Sequence, residues 1–262
     1  EVPDGKTLHT GSTGDRVLAL RARLVMTGDL STQDMFLPVF DDAVAAGVQR
    51  FQRRHGLLDD GRAGRKTLRE MNVPVETRID QIRANLERAR WVLHDLPDTY
   101  IMVDIAGFHA RYVRNNKLVW ESRAQVGRPA RESPVFRSRL KYLDINPTWT
   151  VPPTILDEDL LPEVRANPGY LAVRDMEVLD YDGNPVDPGS IDWYAYNGKN
   201  FPYLIRQQPG PKNALGRIKF MFPNRHSVYL HDTPSKSLFD KPERAFSSGC
   251  VRIERPYDLA EL

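Results

Sequence analysis

Apolar positions in the first part of the chain recur at helical spacing. Val17, Leu20, Leu24 and Val25 fall on one stripe of "TGSTGDRVLALRARLVMTGDL", behind polar and glycine residues suited to cap a helix start. A second stripe, Val44, Val48, Phe51 and Gln52, runs to Gly56, a natural C-terminal stop, and a third short helix in "GRKTLREMNVP" ends at Pro74. Together they predict a small three-helix bundle over residues 1–75. Ile79, Ile82, Leu86, Ala89 and Leu93 then mark a longer amphipathic helix, read as a linker over 76–98.

From Tyr100 the pattern switches to alternation and β-branched residues. "YIMVDIAGFHARYVRNNKLVWESRAQVG" predicts two strands around a turn at "RNNK", with a third run beside them, opening a mainly β domain over 99–262. Residues 152–210 break the pattern with Pro, Gly, Asn and aromatics, and hold a short helical piece around Asp157 to Arg165. That is too long for a plain connection, so it predicts an inserted lid. Its aromatics, Trp193, Tyr194, Tyr196 and Tyr203, with Trp149 just before it, offer flat surface for a ligand, although most are better explained as the insert's own small core. The closing "RPYDLAEL" reads as the start of a helix. The fold class expected is α+β.

Composition narrows the function more than the fold. With 262 residues, 40% hydrophobic, and a net charge of +2 spread over interspersed acids and bases, the chain reads as soluble and globular, with no footprint for nucleic acid. It has no apolar run of the roughly 18 residues a membrane span needs, and no basic-then-apolar leader. A start at Glu1 rather than Met fits a trimmed or processed chain. Cys250 is the single cysteine, which excludes an intramolecular disulfide and a multi-cysteine metal site.

Cys250 lies in "AFSSGCVRI". Nineteen positions upstream, Val228, Tyr229 and Leu230 read as a strand that delivers His231. A thiol attacks only as thiolate, and an imidazole that takes its proton completes the smallest machine for acyl transfer. Gly249 permits close backbone approach, and the Ser248, Gly249 and Cys250 N–H groups are candidates for an oxyanion hole, with the Tyr229 hydroxyl on the same strand face as His231. From the residues alone, a buried, inert cysteine remains an equal alternative. The order His then Cys argues against a papain-like assignment.

"HDTPSKSLFDKPERAFSSGCVRI" resembles the signature of L,D-transpeptidases of the YkuD type: a His, a spacer, then Ser/Thr-x-Gly-Cys, an apolar residue, and Asn or Arg. "GPKNALGRIKFMFPNRHSVYLHDTP" and "INPTWTVPPTIL" look like the YcbB-like branch, which also carries an inserted lid. Where many members have His before Gly-Cys this chain has Ser248, leaving His231 as the sole base and His226 as a loop residue. "FQRRHGLLDDGRAGRKTLREMN", preceded by "GSTGDRVLALRARL", is similar to a peptidoglycan-binding module.

The resemblance implies a peptidoglycan crosslinking enzyme. Cys250 would be the nucleophile and His231 the base, oriented by the Asp232 carbonyl or, alternatively, the Asp232 side chain, while Arg252 would bind a stem carboxylate unless it makes a structural ion pair. Trp149 would line the substrate site. The partners implied are peptidoglycan stem peptides, carbapenems as covalent β-lactam inhibitors, and other cell-wall synthases. No cofactor is expected. The setting implied is a Gram-negative periplasm, with anchoring to the inner membrane by a segment outside this chain. Rival readings are a lipoprotein-anchoring enzyme, an L,D-carboxypeptidase or exchange enzyme, and a non-catalytic wall-binding protein.

Overall fold

The computed structural model describes residues 1–262, the side chain of Val92 excepted. Residues 1–95, with 241–243, form one compact unit, and 96–240 with 244–262 form a second.

In the first unit, helices α1 (Asp15–Met26), α2 (Asp42–Arg54) and α3 (Arg65–Met71) pack Val17, Leu20, Leu24, Val44, Val48, Phe51, Leu68 and Met71 into one core. Asp41 caps α2 by accepting from the Val44 N–H at 3.0 Å, and its other oxygen pairs with the fully buried Arg21 at 2.5 Å. Gly56 follows α2 with φ 63°, the stop that its sequence position predicts. Gln52 is buried and staples the following turn: its amide donates to Asp60, Arg62 and Thr67 and accepts from the Gly61 N–H. The amphipathic helix is present as α4 (Val75–Leu93), but Ile79, Ile82, Leu86 and Leu93 are all exposed, so its stripe is uncovered rather than packed.

The second unit is built on strands β1 (Tyr100–Asp104), β2 (His109–Arg114), β3 (Lys117–Gly127), β4 (Tyr142–Ile145), β5 (Trp149–Thr150), β6 (Met176–Leu179), β7 (Pro185–Val186), β8 (Leu204–Gln207), β9 (Ile218–Met221), β10 (Leu230–His231), β11 (Ala245–Ser247) and β12 (Val251–Ile253). The main sheet runs β1-β2-β3-β12-β10-β9-β4, with β11 against β3. Asn115 and Asn116 both adopt positive φ, 51° and 59°, and turn β2 tightly into β3 with Arg114 opposite Lys117. Strand alternation decides which residues are free for chemistry. Ile218, Phe220, Leu230, Val251 and Ile253 point into the core with Trp120, Ala124 and Leu259, which sends Lys219, His231 and Arg252 to the other face. Leu259 reaches that core from a helix at Pro256–Glu261, as the last residues predict.

The insert folds on itself. A second sheet, β5-β8-β6-β7, covers a core of Leu156, Leu160, Leu161, Val164, Leu171, Val178 and Ile205. Residues 153–166 are helical throughout, through a π turn at Leu156–Leu160. The insert begins slightly earlier than its composition suggests, because Trp149 is already paired with Gln207. Its two legs are tied further by the Asn213 amide, which donates to the carbonyls of Pro147 and Gln208, both at 3.0 Å. Trp193, Tyr196 and Tyr203 surround Phe201 at 5.6 to 5.8 Å, whereas Tyr194 is exposed beneath the Arg165 guanidinium. Among the described residues no helix is long and apolar enough to cross a membrane.

Candidate active site

Register places the chemistry. β10 runs parallel to β12 with His231 opposite Arg252, and antiparallel to β9 with His231 opposite Lys219. Arg252 is in turn opposite Gln125 of β3. Lys219, His231, Arg252 and Gln125 therefore form one row across the sheet, on the face opposite the core. The Val251 N–H donates to the Tyr229 carbonyl at 2.9 Å, which extends the β10–β12 ladder and sets Cys250 beside Tyr229. Two residues before Arg252, Cys250 shares the face of His231 on a neighbouring strand about 4.8 Å away.

The imidazole is held from behind. His231 is buried, and its Nδ1 makes a short hydrogen bond to the Asp232 carbonyl. A carbonyl only accepts, so Nδ1 carries the hydrogen and Nε2 keeps its lone pair. The Asp232 side chain is not the orienter: its carboxylate accepts from the Arg217 N–H at 3.0 Å and pairs with Lys236 at 2.5 Å. Burial, then the Arg252 and Lys219 charges, push the His231 pKa down to about 3 against the opposing pull of Asp232. The ring rests neutral.

Cys250 is half-buried, and burial pushes its thiol pKa up; the Tyr229 N–H, Arg252 and Lys219 pull the other way. Among the described residues the thiol's hydrogen-bond partner is the Ser227 carbonyl at 4.0 Å, not His231. At rest both groups are therefore neutral, a thiol beside an unprotonated imidazole nitrogen. Tyr229 serves differently from expectation. Its backbone N–H acts to lower the Cys250 pKa, while its ring packs on Phe222 and lies under the Lys219 ammonium, 4.0 Å from the ring centroid. Ser227 has φ 54°, and Asn224 grips the loop around it, accepting from the His226 and Val228 N–H groups and donating to the Phe222 and Val228 carbonyls. That loop shortens the expected strand to Leu230–His231. His226 is an exposed loop residue, as predicted, beside the Phe136 ring.

The loop that carries Cys250 is fixed by three serines. Ser247 Oγ donates to the Cys250 carbonyl at 2.5 Å and accepts from the Gly249 N–H at 3.2 Å, which removes that N–H from the oxyanion set. Gly249 has φ 112°, a conformation that an L side chain rarely adopts. Its carbonyl accepts from Ser133 Oγ at 2.7 Å, so in the trans peptide the Cys250 N–H points the opposite way. Ser248 does not face the reaction with its side chain: Oγ accepts from Arg131 at 2.8 Å. Arg131, nearly buried, simultaneously pairs with Glu158 and Asp159 of the insert's π turn, the latter at 2.5 Å.

Arg252 makes no ion pair among the described residues; it donates to Gln125 at 3.4 Å and its Nε is buried without a partner. The structural ion pair considered for it is absent. Trp149 is half-buried and packs against the insert's core. Lys219, Arg131, Ser133 and Asn224 carry no local sequence signal for the roles they take. An open cleft of about 500 Å³ between His109, Trp120, Arg123 and Glu254 contains neither Cys250 nor His231.

Residues 98–262 match the family model of the YkuD L,D-transpeptidase catalytic domain. The chain belongs to this family. Residues 13–71 match a model described as "Putative peptidoglycan binding domain". A Haemophilus influenzae protein described as "Putative L,D-transpeptidase" is 42% identical over 190 residues, covering 71% of this chain and 38% of that protein, so the YkuD chain spans well under half of its curated relative. An L,D-transpeptidase from Stackebrandtia nassauensis covers 97% of this chain and 88% of its own at 14% identity and a TM-score of 0.36. The catalytic domain of an E. faecium L,D-transpeptidase, acylated by ertapenem, covers 60% of this chain and 82% of its own at 15% identity and a TM-score of 0.30.

Proposed function

We propose that this YkuD protein is a cysteine L,D-transpeptidase that crosslinks peptidoglycan stem peptides. The observation that carries the reading is the shared face of Cys250 and His231 on adjacent strands, with the Nε2 lone pair left free because Nδ1 is bonded to the Asp232 carbonyl. The Cys250 thiol gives its proton to Nε2 as sulfur bonds to the carbonyl at the L-centre of diaminopimelate in a tetrapeptide stem. The oxyanion that forms is met by the Cys250 and Tyr229 N–H groups. The C–N bond then breaks, the imidazolium protonates the leaving D-alanine amine, and a thioester remains. The side-chain amine of a second stem attacks it with the proton flow reversed, and joins two diaminopimelates.

The same sulfur would open a carbapenem ring to a stable acyl-enzyme. The insert, tied to Ser248 through Arg131, would act as a lid that orders the site around a large substrate, and its presence together with Ser248 favours the YcbB-like branch. The helical unit would hold the enzyme on the wall, in a Gram-negative periplasm and among other wall synthases.

Intact-protein mass spectrometry tests the reading. Wild type incubated with a purified tetrapeptide stem, or with a carbapenem, gains an adduct that maps to Cys250, and Cys250→Ala gains none. A folded wild type that forms no adduct with either compound overturns it.

A further inference from the structure

Two cations flank His231 without acids to match them. Lys219 and Arg252 sit on either side of His231 in the cross-strand row, and among the described residues neither forms an ion pair. The neighbouring carboxylates are otherwise placed. Asp232 is matched by Lys236 at 2.5 Å, and Asp144, opposite Lys219 in β4, makes no ion pair with it. Lys219 is held over the Tyr229 ring at 4.0 Å, a position that fixes the ammonium without neutralising it. Arg252 adds a buried Nε with no partner. An unmatched guanidinium in a largely buried setting is costly unless something else completes its bonding, and both charges bear on Cys250.

We propose that Lys219 and Arg252 form a carboxylate clamp beside Cys250, so that the enzyme selects acyl donors carrying a negative charge next to the carbonyl under attack. This deepens the transpeptidase reading and rests on it. The clamp supplies a physical basis for preferring a donor whose departing residue ends in a free carboxylate over the same donor with that end amidated. Lys219 is the specificity residue that the signature around Cys250 does not contain.

Alkylation of Cys250 tests the clamp without requiring acyl transfer. Iodoacetate and iodoacetamide react identically, with the sulfur–carbon bond forming as iodide leaves with the carbon–iodine electron pair and the thiol proton passing to base. They differ only in charge. Any change in thiol acidity affects both rates, so the ratio of the two reports the local field.

In wild type the iodoacetate-to-iodoacetamide ratio should exceed that of the urea-unfolded protein, each compared at matched ionic strength, by about tenfold. It should fall toward the unfolded value in Lys219→Met and Arg252→Gln, and fall with added salt in wild type. Lys219→Met alone carries the test if Arg252→Gln does not fold. An equal ratio in folded and unfolded wild type, or an unchanged ratio in folded Lys219→Met, overturns the clamp. A high, Lys219-dependent ratio in a protein that forms no adduct with a stem peptide or carbapenem would leave the anion site standing and remove the transpeptidase reading instead.

Discussion

Arg131 donates to the Ser248 hydroxyl at 2.8 Å while its guanidinium also holds Asp159 at 2.5 Å, so a single side chain ties the Cys250 loop to the insert. Ser248 is two positions before Cys250 and is joined to it through Gly249. Arg131→Gln and Ser248→Ala should each slow acylation by a tetrapeptide stem about tenfold, with a double-mutant coupling of about 0.5–3 kcal/mol. Glu158→Gln combined with Asp159→Asn should reproduce part of the loss from the insert's side. Single-turnover mass spectrometry gives the rates, and additive effects of Arg131→Gln and Ser248→Ala would show that the contact does not couple the two segments.

The neutral thiol and imidazole set both flanks of the stability profile. The His231 pKa is about 3 in the folded protein, against about 6.5 in an unfolded chain, so the unfolded state binds the extra proton between those values. Stability should therefore fall as pH drops from 6.5 toward 3, with a contribution from this one ring on the order of 3–5 kcal/mol. Burial raises the Cys250 pKa, so the unfolded thiol ionises first and stability should fall again as pH climbs above about 8.5. Chemical denaturation across pH, comparing wild type with His231→Gln and Cys250→Ala, reads each flank. An acid limb unchanged by His231→Gln would contradict the buried neutral ring.

Gly216 lies against Asp232, the residue whose carbonyl holds the imidazole. It has φ 63°, and a Cβ there would lie 2.4 Å from the Asp232 carboxyl carbon. Gly216→Ala must displace Asp232, whose carbonyl orients His231. A stability loss of about 1–3 kcal/mol is expected, together with slower acylation of the remaining folded enzyme. Unchanged acylation in folded Gly216→Ala would show that the ring keeps its orientation by other means.

Replacing residues 149–207 with a short linker removes Glu158 and Asp159 but leaves β9, β10 and β12 intact. Cys250 should still be alkylated, while use of a tetrapeptide stem should fall sharply. Stem turnover equal to wild type would end the description of the insert as a lid.

Legibility in the sequence followed the range of the interactions. Gly56 and the Asn115–Asn116 turn are visible because the conformation they require is local to those residues. Cys250 and His231 are visible as chemistry, and alternation alone puts Lys219 and Arg252 opposite the core. Arg131 is not visible: its partners Glu158 and Ser248 are 27 and 117 residues away, and nothing near "RPARES" announces them. Tyr229 was legible as a strand neighbour of His231 but not as a backbone donor, because the Asn224 loop and the left-handed Ser227 settle which of its groups acts on the Cys250 pKa. Trp149 shows the limit for aromatics, since a ring that lines a substrate and a ring that fills a core look alike in sequence. The α4 stripe shows the complementary limit, because periodicity says which residues share a face and nothing about what covers it.

The paired ends of the insert have an evolutionary consequence. Trp149 and Gln207 face each other across a strand pair, and Asn213 clips the legs together just below, so some sixty residues hang from a neck no wider than a hairpin. Chain added to or removed from such a cassette shifts closure entropy by only about 0.6 kcal/mol per doubling of length. The sheet bearing the Lys219–His231–Arg252 row can therefore accept grafted cassettes of other sizes without rebuilding the strands that carry that row.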